Sequence, residues 1–253
     1  MTNTMHDSWI MFKRVLVKNT RSPESVIMAL IVPIVMMVLF GMVFGSVAEI
    51  EGFNYINFIV PGIILQCVCN MSGATAMAVH TDMSTGIIDR FRSMRIAKSA
   101  FLAGHVYVSV LRSIIITAVI IGFAFAIGFR PEAGLLGWLA VAGILVLFII
   151  AMTWMVVING LIAKSSEDIS GFNFLLLIFT FISSAFAPVD TLPRALAIFA
   201  RHQPITQVID ALRALLLGLP VGNTVWLALA WSAGIALVSF LLAVKIYKSK
   251  LTQ

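Results

Sequence analysis

The sequence contains little charge and little cysteine. Only 11% of its 253 residues are charged, whereas 60% are hydrophobic, and its mean hydropathy is +1.04. Because an ordinary soluble domain has about 25% charged residues, this composition excludes a soluble enzyme or a free binding module. The two cysteines, Cys67 and Cys69, stand two residues apart in an apolar run, which is neither a disulfide framework nor a zinc-binding pattern.

Motifs that bind nucleotides or hydrolyse substrates are missing as well. The chain has no Gly-x-x-x-x-Gly-Lys-Ser/Thr loop, so it does not bind ATP by that route. It also has no Gly-x-Ser-x-Gly elbow and no His–Glu pair at zinc-protease spacing. We therefore predict a chain that is not an enzyme and that binds neither a metal nor a cofactor of its own.

Long apolar runs, in contrast, are abundant. A helix needs about 20 apolar residues to cross the hydrocarbon core of a bilayer, and the alternation that a β-barrel requires is absent. These runs predict an all-α polytopic membrane protein with six transmembrane helices. The runs are 26–44, 56–79, 101–129 (interrupted by Arg112), 135–163, 169–189 and 223–244.

Positive charge is distributed unevenly over the predicted connections. Twelve of the 17 Lys and Arg residues fall on one side of the membrane and four on the other. By the positive-inside rule, both termini are expected in the cytoplasm. The same rule explains the net charge of +6 through contact with anionic membrane lipid, without nucleic acid as a partner.

Residues 1–25 are polar and basic, and they predict an interfacial helix ahead of the first span. At 100° per residue one face is apolar and the opposite face is cationic, so such a helix lies in the headgroup plane. A solvated tail without fixed structure is the alternative. The apolar face holds Trp9, Phe12 and Leu16, and the cationic face holds Arg14, Lys18 and Arg21.

Two connections have patterns of their own. The cytoplasmic segment 80–100 mixes charged and apolar side chains, as a helix that docks on a partner requires, although a plain loop fits equally well. In the outer segment 190–222, Pro193 and Pro204 can each start a short helix. The second of these, about 21 Å long, is too short to cross the membrane. The pattern predicts a re-entrant helix pair between spans five and six, with an external amphipathic cap as the alternative.

The whole chain, 1–253, is thus expected to form a single transmembrane domain. It would start with the interfacial helix and continue with spans one to five over 26–189, which include the cytoplasmic segment 80–100. The external hairpin 190–222 would follow, and then the sixth span and a cytoplasmic tail over 223–253.

A family signature lies near the C-terminal end. Residues 186–193, Phe-Ala-Pro-Val-Asp-Thr-Leu-Pro, are followed by 204–218, which begin Pro-Ile-Thr-Gln and end Leu-Leu-Leu-Gly. Together they resemble the closing signature of type-2 ABC-exporter permeases, in particular the daunorubicin/doxorubicin-resistance permease group. Segments 82–99, 128–131 and 166–168 are similar to that group in order and spacing. Three residues depart from the pattern: Arg95 and Ser166 stand where proline is frequent, and His105 where arginine is common.

The resemblance implies a multi-pass permease of the bacterial plasma membrane, with six spans and both termini in the cytoplasm. It also implies a second permease subunit, forming a homodimer, and a separate ABC ATP-binding subunit that carries ATP-Mg. That subunit would dock on the interfacial helix and on segment 82–99. The coupling residues expected there are Asp82, Gly86, Asp89, Arg90, Phe91, Arg92, Glu167 and Asp168. The residues expected to shape the external hairpin are Pro188, Pro193, Pro204, Asp210, Arg213 and Gly218.

Polar residues inside the spans are candidates for a translocation path. Gln66, Asn70 and Gly73 share one face of the second span, and a polar face in lipid must meet another helix or a cavity. A translocation path, a dimer surface and plain helix packing all satisfy that requirement. Arg112 is a charge within a span and hence a functional candidate, unless it snorkels to the cytoplasmic interface.

We therefore predict the permease subunit of an ATP-driven exporter that moves a lipophilic or amphiphilic substrate, such as a drug, an antibiotic or a lipid, out of the cell. Export of a lipid-linked glycan or polysaccharide is the first alternative. An ion-driven secondary transporter and a non-transporting membrane scaffold are rivals from other classes. A secondary transporter is expected to carry a carboxylate near the midplane, whereas the 11 acidic residues lie at span ends or in loops.

Overall fold

The computed structural model describes residues 23–44, 53–85 and 98–250, together with 13, 15, 49 and 50. These residues are mostly helical, as the sequence predicts. One antiparallel pair of two-residue strands, β1 (Glu49–Ile50) and β2 (Phe53–Asn54), precedes the second helix. The described part of the chain contains the helices α1 (Pro23–Phe44), α2 (Tyr55–Ser84), α3 (Lys98–Ala126), α4 (Leu135–Ile162), α5 (Ser166–Phe181), α6 (Arg194–His202), α7 (Pro204–Leu216) and α8 (Thr224–Lys250).

Four of these helices, α2, α3, α4 and α8, are long and apolar enough to cross a membrane. The two other helices predicted as spans are shorter: α1 has 22 residues and α5 has 16. At 1.5 Å per residue α5 is about 24 Å long, less than the ~30 Å of the hydrocarbon core. The predicted helical membrane class is confirmed, and the count of six spans stays a prediction.

The fifth predicted run, 169–189, is wrong at its end because α5 stops at Phe181. The Ser183 hydroxyl donates to the Thr180 carbonyl and accepts from the Ala185 amide, so the hydroxyl takes over backbone groups that a continuing helix would pair. Hydropathy cannot reveal this turn, since residues 182–189 carry no charge.

Helix α2 is the centre of the bundle, and it contacts α1, α3, α4, α5 and α7. Its residues are apolar on nearly all sides and buried, as expected of a helix surrounded by others. The chain after α5 comes very close to it: a Cβ built at Gly62 would lie 2.5 Å from the Ala185 Cα. Only glycine fits there, and this approach brings the end of α5 against α2.

The helices around α2 keep their outer faces apolar. Large exposed hydrophobic side chains occur on each of them, for example Met42 on α1, Ile115 on α3, Leu139 on α4, Phe174 on α5 and Leu237 on α8. A soluble protein rarely leaves so much contiguous apolar surface uncovered. The apolar exterior is therefore suited to lipid.

Candidate functional site

The short helices α6 and α7 form the predicted hairpin at one end of the bundle, called here the hairpin end. Pro188 precedes a 3-10 turn, Pro193 precedes α6, and Pro204 is the first residue of α7, where its missing N–H costs nothing. Gly218 ends the hairpin with φ = +67°, a conformation that favours glycine. The predicted pair of short helices is confirmed, and its re-entry into the membrane stays a prediction.

Arg213 joins this hairpin to the rest of the bundle. Its Nη1 donates to Asp210 Oδ1 at 2.9 Å, in an ion pair with i,i+3 spacing on α7. Its Nε and Nη2 both donate to the Phe58 carbonyl of α2 at 3.2 Å, and Nη2 also donates to the Ser184 carbonyl after α5. The guanidinium lies 3.9 Å from the centroid of the Phe58 ring. One side chain therefore ties α7 to α2 and to the end of α5.

The electrostatics of this cluster explain why a cation can be buried here. Arg213 is only 6% exposed, and a buried charge is tolerated only when it is paired and hydrogen-bonded. Ser184 Oγ donates to Asp210 Oδ1 at 2.6 Å and so helps to hold the counterion. Burial raises the pKa of Asp210 above its ordinary value, while Arg213 acts in the opposite direction.

A polar pocket of about 510 Å³ adjoins the cluster. Asp210 and Arg213 line it on one side, and the exposed ion pair of Asp190 with Arg201 lines it on another. Pro188 also belongs to its wall. The hairpin therefore brings the predicted residues Pro188, Asp210 and Arg213 around one polar opening.

Gln203, between the two hairpin helices, is a residue that sequence reasoning missed. Its Nε2 donates to the carbonyls of Phe179 and Ile182, at 3.0 and 2.9 Å, and so caps the end of α5. Since its partners lie more than 20 residues away, only the position of Gln203 between two predicted helices could have drawn attention to it.

At the opposite end of the bundle the structure describes only part of the predicted coupling site. Asp82 lies in the last turn of α2, is 1% exposed, and holds Oδ2 at 3.2 Å from Nε2 of the buried His105 on α3. Its carboxylate is thus paired inside the bundle, and its part in coupling stays a prediction. Ten predicted residues lie outside the described residues: Trp9, Phe12, Arg14, Leu16, Lys18, Gly86, Asp89, Arg90, Phe91 and Arg92.

Glu167 and Asp168 stand at the start of α5 and have different positions. Asp168 completes a capping box with Ser165: its Oδ2 accepts from the amides of Lys164 and Ser165, and its own amide donates to Ser165 Oγ. Glu167 is exposed. Asp168 is exposed too, but its carboxylate caps its own helix, whereas Glu167 accepts a hydrogen bond from the adjacent Ser166 Oγ at 3.3 Å.

The polar face of α2 is mostly used inside the chain. Gln66 is buried, and Gly73 lies directly against the Asn173 side chain of α5, where a built Cβ would fall 1.9 Å from the amide nitrogen. Asn70 alone of the three is partly open. Helix packing therefore accounts for Gly73. Among the described residues the buried Gln66 Oε1 has no hydrogen-bond partner, and a role of this face in translocation or dimer contact stays a prediction.

Arg112 lies in the middle of α3 and is half-buried. Its Nη2 donates to the Met71 carbonyl at 2.9 Å, in the middle of α2. The side chain does not extend to a helix end, as snorkelling would require. One turn away, the hydroxyls of Thr75, Ser109 and Thr153 form a buried chain with O···O distances of 2.8 and 3.3 Å across α2, α3 and α4, so polar contacts join three helices at mid-depth.

Comparison with known proteins agrees with a helical membrane protein. Residues 6–217 match the ABC-2 type transporter family. The chain is 28% identical to the daunorubicin resistance ABC transporter permease protein DrrB1 of Streptomyces coeruleorubidus, over 90% of this chain and 81% of the relative. It is 27% identical to the probable doxorubicin resistance ABC transporter permease protein DrrC of Mycobacterium tuberculosis, over 89% and 82%. It is 25% identical to the inner membrane transport permease YadH of Escherichia coli, over 85% and 86%. The match spans most of a helical, lipid-suited chain, which therefore belongs to the ABC-2 type transporter family.

Proposed function

We propose that the chain is the permease subunit of an ATP-driven exporter that moves a lipophilic or amphiphilic compound, such as a drug, an antibiotic or a lipid, out of a bacterial cell. The observation that carries this proposal is the family match over residues 6–217. Two of the relatives are named for resistance to daunorubicin or doxorubicin. The apolar interior and the apolar exterior of the bundle suit a substrate that reaches the protein from the membrane.

In this proposal ATP-Mg is held by a separate ABC ATP-binding subunit, because the chain itself has no phosphate-binding loop. Two copies of the chain form the membrane part. Each copy contributes α1 to α5 and α8 as six spans, with both termini in the cytoplasm of a bacterial plasma membrane. The interfacial helix and the segment 82–99 receive the ATP-binding subunit.

The contacts within the bundle suggest how a push on that segment would travel. Segment 82–99 joins α2 to α3, which are linked by Asp82 with His105 and by Arg112 with Met71. At the hairpin end, Arg213 links α2 and the end of α5 to α7. A tilt of α2 would therefore carry the hairpin with it, as one part of a two-state change between inward and outward forms.

The test is reconstitution of the chain with its ATP-binding partner in proteoliposomes. We expect ATP hydrolysis that is stimulated by rhodamine 6G, a lipophilic cation, together with ATP-dependent movement of the dye. Arg90→Glu with Arg92→Glu should abolish the stimulation, since reversed charge would repel the partner's docking surface. Arg194→Glu, the same reversal at the start of α6, is the matched control and should leave the stimulation intact.

Two results would overturn the proposal. One is normal stimulation in the Arg90→Glu, Arg92→Glu variant, which would show that the segment does not couple the subunits. The other is dye movement by the chain alone along an ion gradient, which would make it a secondary transporter.

A further inference from the structure

A second cavity, called here the α4–α5 pocket, also borders the hairpin. Its volume is about 520 Å³, and α4, α5, α8 and the hairpin surround it. The pocket exists because α4 packs closely on α8 but only lightly on α5. The ring of Phe199 on α6 meets that of Phe179 on α5, with centroids 5.6 Å apart, so the hairpin closes one end of the pocket.

The walls of the pocket are aromatic and thioether-rich. Four phenylalanines and two methionines account for much of the lining: Phe148, Phe172, Phe179, Phe199, Met152 and Met155. Ligand pockets of 300–1,000 Å³ are typically lined in this way. Phenyl faces attract flat rings by offset or edge-to-face stacking, and methionine adapts its shape to a bulky guest. A multi-ring aromatic compound gains more from these walls than an acyl chain, which only buries area.

Two polar side chains, His202 and Gln203, line the pocket, and the exposed one gives the pocket a polar end. His202 is exposed at the end of α6 and belongs to the lining. Its Nδ1 donates to the Ile198 carbonyl at 2.8 Å, which makes Nε2 the acceptor of the neutral ring. A hydroxyl or amine carried by a ligand in the pocket could therefore donate to His202 while its rings lie among the phenylalanines.

We propose that the α4–α5 pocket binds the ring system of a flat, multi-ring aromatic amphiphile and that His202 accepts a hydrogen bond from this ligand. The proposal deepens the proposed export function, on which its part in transport rests. Binding at the pocket itself requires neither ATP nor the partner subunit.

The experiment uses the purified full-length chain in nanodiscs and measures saturable pyrene emission above that of empty nanodiscs. The probes are 1-hydroxypyrene and 1-methoxypyrene, which share the pyrene ring system; the methoxy compound lacks the hydrogen-bond donor and carries one additional methyl group. We expect both to saturate, with 1-hydroxypyrene binding about five- to tenfold more tightly, as a single net hydrogen bond implies. His202→Ala should remove this preference without weakening 1-methoxypyrene.

Two tryptophan substitutions on α8 test the location. Ile235 lines the pocket, whereas Leu237 is 61% exposed on the same helix. Ile235→Trp should fill the cavity and weaken both probes at least tenfold, whereas Leu237→Trp, of equal bulk, should bind as the unsubstituted chain does. Equal binding by both variants, or no saturable binding, would overturn the proposal.

The remaining outcomes concern the ligand class and the link to export. If palmitate displaces 1-hydroxypyrene and binds more tightly, the pocket is an acyl-chain site and the proposed ligand class is wrong. A chain that binds the probes but never responds to an ATP-binding partner would overturn the export proposal and leave the pocket intact. A chain that responds to its ATP-binding partner but shows no saturable binding of the probes would overturn the pocket proposal and leave the export proposal intact.

Discussion

At the scale of single residues, Arg213 illustrates how one buried charged side chain can hold several elements together. Its guanidinium has acceptors on α7, on α2 and on the turn after α5. Its planar fork of donors suits several acceptors at once, which the single ammonium group of lysine cannot match. Its partner Asp210 stands only three residues away along the chain, but the carbonyls of Phe58 and Ser184 are too distant along the chain to be foreseen.

We expect Arg213→Leu to lower the free energy of unfolding by about 1–3 kcal/mol, because two carbonyls lose their guanidinium donor and Asp210 keeps only the hydrogen bond from Ser184. Arg213→Lys should recover part of this loss. The measurement is chemical unfolding in detergent, with Arg194→Leu at the exposed start of α6 as the control. Equal stability of Arg213→Leu and Arg194→Leu would contradict the role assigned to Arg213.

Gly62 offers a second prediction at this scale. Gly62→Ala would push a methyl group into the backbone of Ala185, 2.5 Å away, and overpacking of this kind costs about 1–3 kcal/mol. Gly143→Ala on α4 is the control, because nothing lies within 4 Å of its added Cβ and alanine favours the helix. The midpoint temperature of thermal unfolding should drop for Gly62→Ala and stay level or rise for Gly143→Ala. The opposite order would rule out the close approach of α2 to the turn after α5.

At the scale of elements, the sequence predicted the long helices well and the ends of the shorter ones poorly. Apolar runs locate α2, α3, α4 and α8, because burial in lipid or protein demands the same composition along the whole helix. The end of α5 depends on the hydroxyl of Ser183 and on the amide of Gln203. The partner of Arg112 likewise depends on which helices are neighbours. Such contacts are properties of the packing and not of local composition.

The start of α5 yields a prediction that separates structure from coupling. Asp168→Ala removes the capping carboxylate and should lower the stability by about 1 kcal/mol, whereas Glu167→Ala should lower the stability less and reduce partner-stimulated ATP hydrolysis. Unfolding in detergent and ATPase assays on the reconstituted complex measure the two effects. Should Glu167→Ala destabilise the chain as much as Asp168→Ala does, the division of roles would be wrong.

At the scale of the whole molecule, the predicted orientation can be tested because both native cysteines are buried. In intact cells a membrane-impermeant maleimide should label Arg194→Cys at the start of α6. Lys248→Cys near the end of α8 should react only after permeabilisation, since the positive-inside rule places it in the cytoplasm. The reverse labelling pattern would show that the topology is opposite to the predicted one. This orientation comes from charge counting along the sequence, whereas the order of helices around α2 required the structure.

The short α5 has a consequence for the surrounding bilayer. With about 24 Å of helix in a hydrocarbon layer of ~30 Å, the proposed fifth span cannot match the membrane, and such hydrophobic mismatch is relieved by local thinning or by neighbouring protein. Here the hairpin continues where α5 ends, with Gln203 closing the join. An apolar molecule that leaves along this flank would thus cross a thinner hydrocarbon layer than it would elsewhere in the same membrane.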